Sequence, residues 1–156
     1  MTTSSFYTGP GRPRLRVKGW AQLVNAARVG VLAETQWVEL KAALPEAAAK
    51  ANLEFGRDLT SLSVDGGVLI IGVRDPGDTA DTVVGTTDPL EGLKTRVDQV
   101  AGSTRIQPPL HVQLSAIECP GDPARHVLLV DVPASPTAPT WSTESIGAVV
   151  PPASGP

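Results

Sequence analysis

Apolar residues recur at helical spacing in three stretches of this chain. Trp20, Leu23, Val24, Ala27 and Val31 fall on one face of a helix over 19–29 that stops near Gly30. Leu44, Ala48, Ala51, Phe55, Leu59 and Leu62 form a longer stripe. Pro45 suits a first helical turn and the alanines at 47–49 favour helix, so this element is expected from 45 to about 62, with Gly56 a point of kinking or close packing. Asp88-Pro89-Leu90-Glu91 carries a capping aspartate, a proline at the first helical position and a capping-box glutamate. Leu90, Leu93, Val97 and Val100 supply that helix with a buried face, and Gly102 ends it.

Strand patterns lie between these stretches. Gln36 to Lys41 alternates, so Val38 and Leu40 point to the core while Trp37, Glu39 and Lys41 share the other face. Val68 to Val73 is apolar throughout, as in a central strand covered on both sides. Strand, helix, strand makes a βαβ unit over this region. Residues 110–118 alternate, Cys119-Pro-Gly-Asp-Pro123 turns, and His126 to Val132 returns antiparallel. Val83-Val84-Gly85 is expected as a short strand after a mobile loop at 76–82. Arg14 to Lys18 alternates basic with apolar residues, as in a short edge strand.

The ends differ in composition. Residues 1–13 are rich in Ser, Thr, Gly and Pro and read as flexible, and six prolines in the 24 residues from Pro133 oppose regular structure, although Trp141 could still dock. The expected organisation is a flexible basic leader over 1–18, a domain over 19–135 and a proline-rich tail over 136–156. The fold class is α/β (α+β): a single domain with a mixed β-sheet flanked by helices.

Charge refines this picture. The net charge of −3 argues against a protein that coats nucleic acid without specificity. Residues 1–33, however, contain Arg12, Arg14, Arg16, Lys18 and Arg28 and no acid, a local +5 that leaves −8 for the remainder. Such an arm can touch phosphates; a solvated tail is the plainer account. No apolar run approaches the roughly 20 residues that span a bilayer, and no secretory core opens the chain, so a cytoplasmic location without a membrane partner is expected. The single cysteine, Cys119, has no disulfide or zinc partner.

Chemistry is sparse. Gly66-Gly67…Gly72 lacks the Gly-Lys-Ser/Thr ending and following helix of a P-loop, and the glycine pair fits a tight helix-to-strand turn. Glu34, Glu39 and Asp75 are oxygen donors of the kind that hold Mg²⁺ or Mn²⁺, and Lys41 is placed to meet a phosphate oxygen. Glu34 lies an odd five positions before Glu39, so it joins that face only if the chain turns or bulges near Thr35. The plain alternative is a surface Glu39–Lys41 pair and an aspartate that starts a turn. His111 and His126 lack a neighbouring Ser or Asp motif and suit surface or core-edge positions, while Trp37 could stack on a base or cover the adjacent helix.

Taken together, Glu34-Thr-Gln-Trp-Val-Glu39-Leu-Lys41, the helix after it, and Gly66-Gly67-Val-Leu-Ile-Ile-Gly72-Val-Arg-Asp75 resemble the Schlafen-type Alba-like family. That family is also described as a DNA-binding domain, and the resemblance runs from about 20 to 140, including Pro108-Pro109-Leu110 and the 130–139 stretch. In its nuclease members the resemblance implies a metal site of two glutamates and an aspartate that cuts tRNA or rRNA, matched here by Glu34, Glu39 and Asp75, with Lys41 as the motif lysine. Other members bind nucleic acid only. The chain departs from the pattern at Ser63, where the family carries Asn, and at Arg74, where it carries Asp. It also ends where members continue into a further strand and helix.

The expected function is therefore nucleic-acid binding, of RNA or DNA, through Arg12, Arg14, Arg16, Lys18, Lys41 and Arg74. A divalent-metal-dependent endoribonuclease acting on structured RNA such as tRNA is the finer version, with Glu34, Glu39, Lys41 and Asp75 as its site and Mg or Mn as its cofactor. A non-catalytic DNA-binding or protein-interaction module is the alternative, and homo-oligomerisation is compatible with either.

Overall fold

The structure is a computed structural model that describes residues 3–46, 48–103, 105–137 and 140–141. Its centre is a four-stranded mixed sheet in the order β3-β4-β7-β6, from β3 (Val38–Lys41), β4 (Gly67–Ile71), β6 (Gln113–Cys119) and β7 (Asp122–Val132). β3 and β4 are parallel and joined by helix α2 (Ala49–Leu62), while β7 runs antiparallel to both of its neighbours, β4 and β6. The expected βαβ unit and returning hairpin are both present, in an α+β domain.

Alternation along the central strands divides the core in two. Val68 and Ile70 of β4, Val38 and Leu40 of β3, and Val127 and Leu129 of β7 belong to one cluster. Leu69, Ile71, Leu128 and Val130 belong to the other, under α2 and α3 (Leu90–Ala101). Every residue of β4 is buried, which is why its sequence shows no polar face. The Gly66-Gly67 pair serves the helix-to-strand turn: Gly66 has φ +86°, and a Cβ on Gly67 would collide with the Trp37 carbonyl.

The first cluster is roofed by a hairpin: the short strand expected over Arg14 to Lys18 is present, but the reading of 1–18 as a flexible leader missed the strand that pairs with it. β1 (Ser4–Phe6) and β2 (Leu15–Val17) form an antiparallel hairpin, with Phe6, Leu15 and Val17 buried beside Leu23 and Ala27 of α1 (Trp20–Arg28). A three-residue strand of Ser-Ser-Phe carries too little alternation to be seen in sequence, yet Phe6 supplies the anchor that holds it.

Several boundaries also differ from expectation, among them β6, which begins at Gln113 rather than 110, and β7, which begins at Asp122 rather than His126. α2 begins at Ala49 rather than Pro45, because the Pro45 carbonyl accepts a 2.6 Å hydrogen bond from Arg96 Nη1 and Ala48 is extended; Ala47 lies outside the described residues. α3 starts at Leu90 with Pro89 as its cap and no side-chain capping bond; Asp88 lies one position before that cap, its amide donating to Thr86 Oγ1 at 3.2 Å. Val83 forms only an isolated bridge to Val73, because the Val84 and Gly85 amides both turn onto the Gly72 carbonyl. The proline-rich end contributes β8 (Thr140–Trp141), paired with β5 (Ile106–Gln107); residues 142–156 lie outside the described residues. Among the described residues no helix is long and apolar enough to cross a membrane.

Candidate functional site

β3 is an edge strand, and its geometry decides where the predicted carboxylates go. The chain turns at Thr35, whose amide donates to the Val38 carbonyl at 3.0 Å and whose Oγ1 accepts from the Trp37 amide at 3.1 Å. This turn brings Glu34 back along the open edge, where its Oε2 accepts the Leu40 amide at 3.4 Å. The turn that Glu34 requires is present, and it gives that carboxylate the task of satisfying an edge N–H.

Glu39 and Lys41 share a face, opposite buried Val38 and Leu40. That face looks onto α2, where Asp58 receives Lys41 in a 2.7 Å ion pair. Sequence reasoning missed Asp58. A signal was present: it stands three residues after Phe55 and four before Leu62, on the helix face that packs inward. A cavity of about 410 Å³ opens here, bordered by Thr35, Gln36, Glu39, Asp58, Ser61 and Asp65. Asp75 and Arg74 are exposed beyond β4, and Arg74 donates to the Asp81 carbonyl at 3.0 Å.

Burial of Glu39 and the charges of Asp58, Glu34 and Asp75 push its pKa up to about 7, against a downward pull from Lys41. Glu34 and Asp75 thus both stand within electrostatic reach of Glu39, with Asp58 added. Reach is not ligation. Among the described residues no group of three or more His, Cys, Asp or Glu side chains is arranged to hold a metal ion. With Glu34 engaged on the strand edge and Lys41 on Asp58, the residues as placed do not fit a ready Mg²⁺ or Mn²⁺ centre.

The raised acid has a stability consequence with a definite sign. Native Glu39 keeps its proton between about pH 4.5 and about pH 7, where the unfolded carboxyl has lost it. Its favourable contribution is full below that window and gone above it. Glu39→Gln is expected to flatten the decline and to raise stability at about pH 8 by on the order of 1 kcal/mol, a figure reduced for partial exposure. Urea midpoints at about pH 4 and pH 8 check this; an unchanged pH dependence in the variant contradicts the assignment.

The basic residues form a second feature. Along β2 the buried Leu15 and Val17 alternate with exposed Arg14, Arg16 and Lys18, and Arg12 is exposed in the turn before them. Arg14 is steadied by Ser5, through Nε to Oγ at 2.7 Å and Nη2 to the carbonyl at 3.2 Å. Burial raises the pKa of Asp131 on β7, with Arg14 pulling it back down, so this arginine lies within electrostatic reach of the sheet. Of the nucleic-acid candidates, Arg12, Arg14, Arg16 and Lys18 are thus brought together on one hairpin anchored in the core, while Lys41 and Arg74 lie elsewhere.

The Schlafen, AlbA_2 family model matches residues 34–150, three quarters of the chain. The chain belongs to the Schlafen AlbA_2 family. No curated protein matches it. The matched region starts at Glu34 and contains the βαβ unit, Glu39, Lys41 and Asp75. Membership in the Schlafen AlbA_2 family supports a nucleic-acid-binding domain. The basic hairpin precedes the matched region, yet its apolar side is continuous with the core of the AlbA_2 sheet.

Proposed function

We propose that this domain binds nucleic acid along the sugar-phosphate backbone, with the β1–β2 hairpin as the contact surface. The observation that carries the reading is the alternation in β2: two buried anchors hold the strand to the sheet while Arg14, Arg16 and Lys18 face solvent, joined by Arg12. Guanidinium and ammonium groups fixed on a rigid element meet phosphates with little ordering cost, and they read charge rather than sequence.

A second reading is a divalent-metal-dependent endoribonuclease acting on structured RNA such as tRNA, with Glu34, Glu39, Asp75 and Lys41 at its site. The electrostatic coupling of Glu39 to Asp58, Glu34 and Asp75 supports it, since gathered like charges are characteristic of functional sites. The ligand geometry does not support it.

Incubation of the purified chain with tRNA and Mg²⁺ or Mn²⁺, comparing the parent with Glu39→Ala, separates the two. The backbone-binding reading predicts a complex that weakens steeply with salt, no cleavage, and the same affinity in Glu39→Ala. Cleavage that disappears in Glu39→Ala supports the ribonuclease. A chain that binds neither RNA nor duplex DNA at low salt sinks both.

A further inference from the structure

At the edge of the sheet remote from β3, the β6–β7 register sets Glu118 directly across from His126, with both side chains on the α3 side. The backbone of Thr86 bonds His126 in both directions, its amide to the His126 carbonyl at 2.7 Å and the His126 amide to its carbonyl at 3.0 Å. That pairing delivers Asp88 to the same place. The three side chains border a cavity of about 430 Å³ whose lining contains no lysine or arginine. His126 is only 6% exposed, and its Nε2 is buried without a hydrogen-bond partner. A buried polar atom left unpaired costs roughly 1–3 kcal/mol, so its retention beside an otherwise well-formed cavity calls for a partner from outside the chain.

The lining specifies that partner's chemistry. Two carboxylates accept hydrogen bonds only, and the His126 ring with its unpartnered Nε2 lies beside them. The site therefore asks for a group with several donors and positive charge. Its walls are aliphatic, from Pro89, Leu90 and Pro123, which suits a hydrocarbon stem behind the charged head. A metal ion is a poor match, because no three such side chains among the described residues are arranged to hold one. We propose that the cavity between Asp88, Glu118 and His126 binds an alkyl-guanidinium group. The planar fork with five donors can address two carboxylates in different directions, which a compact ammonium does less well. The group can come from a free small molecule or from an arginine side chain of a protein partner. The site is separate from the nucleic-acid hairpin, which packs on the other face of the sheet.

The test is a nuclear magnetic resonance titration of the full chain with n-butylguanidinium, with neutral n-butylurea as the control. Expected are saturable shifts of the His126 ring and Glu118 amide signals with the cation and none with the urea. Glu118 and Ala116 are both exposed, so their variants are expected to keep the fold. Glu118→Gln is expected to weaken binding by roughly tenfold or more, and Ala116→Leu, which fills the mouth, to abolish it. A blocked arginine peptide that binds more tightly than butylguanidinium assigns the site to a protein partner, and equal affinity assigns it to a free guanidinium. Shifts that never saturate, equal shifts with butylurea, or undiminished binding in Glu118→Gln overturn the proposal, leaving a water molecule as the occupant. Salt-dependent RNA binding by the same samples reports on the hairpin independently.

Discussion

Deleting residues 1–18 is expected to leave a chain without a cooperative unfolding transition. The segment contributes Phe6, Leu15 and Val17, each at most 3% exposed, to the cluster beneath the sheet. At about 2 kcal/mol for each buried side chain, their removal costs roughly 6 kcal/mol before the newly bared surface of Val68, Ile70 and Leu129 is considered. Total stabilities of domains are about 5–15 kcal/mol, so the loss approaches the whole margin. Thermal unfolding followed by circular dichroism, together with dye binding to exposed apolar surface, checks the outcome. A sharp transition within a few degrees of the parent's would show that the hairpin is an accessory rather than part of the domain. The result matters for the family relation as well, since the matched region begins only at Glu34.

Replacing Arg12, Arg14, Arg16 and Lys18 together by alanine is expected to separate binding from folding. All four are exposed, and the anchors Leu15 and Val17 stay in place, so the melting temperature should move little. Affinity for RNA or duplex DNA at low salt should fall on the order of a hundredfold, and the slope of affinity against salt should lessen by up to about four phosphate contacts. Charge count and rigidity act together here. The same four cations on a floating tail would bind less tightly, because each contact would also have to order the chain. Fluorescence anisotropy over a salt series measures both quantities, and a variant that binds within about threefold of the parent would remove the hairpin from the interface.

Much of the architecture was legible because the relevant signals are local. The stripe from Leu44 to Leu62, the unbroken apolar run of β4 and the alternation of β3 each reveal burial through spacing alone, whereas in β6 Ala116 is exposed and Ile117, on the opposite parity, is buried. What escaped depends on partners distant in sequence. β1 is held through Phe6 and by pairing with Leu15–Val17, and β8 exists by pairing with Ile106–Gln107; neither has enough residues to show a period. The site followed the same division. Glu39 and Lys41 on one face could be read from parity, but the Lys41–Asp58 ion pair depends on how α2 crosses the sheet, and Glu34's bond to the Leu40 amide depends on a turn whose existence parity left open. The absence of a ready ligand set among the described residues depends on where side chains from separate segments end up in space, which spacing does not resolve.

The division of labour along β2 has a consequence for how this surface can change over evolutionary time. Residues that hold the roof and residues that meet solvent take turns on a single short ribbon, so they can mutate independently. Cations can be gained, lost or exchanged there while the interior stays fixed. A lineage carrying this scaffold can retune its grip on a polyanion, or abandon it for another charge pattern, without passing through unfolded intermediates.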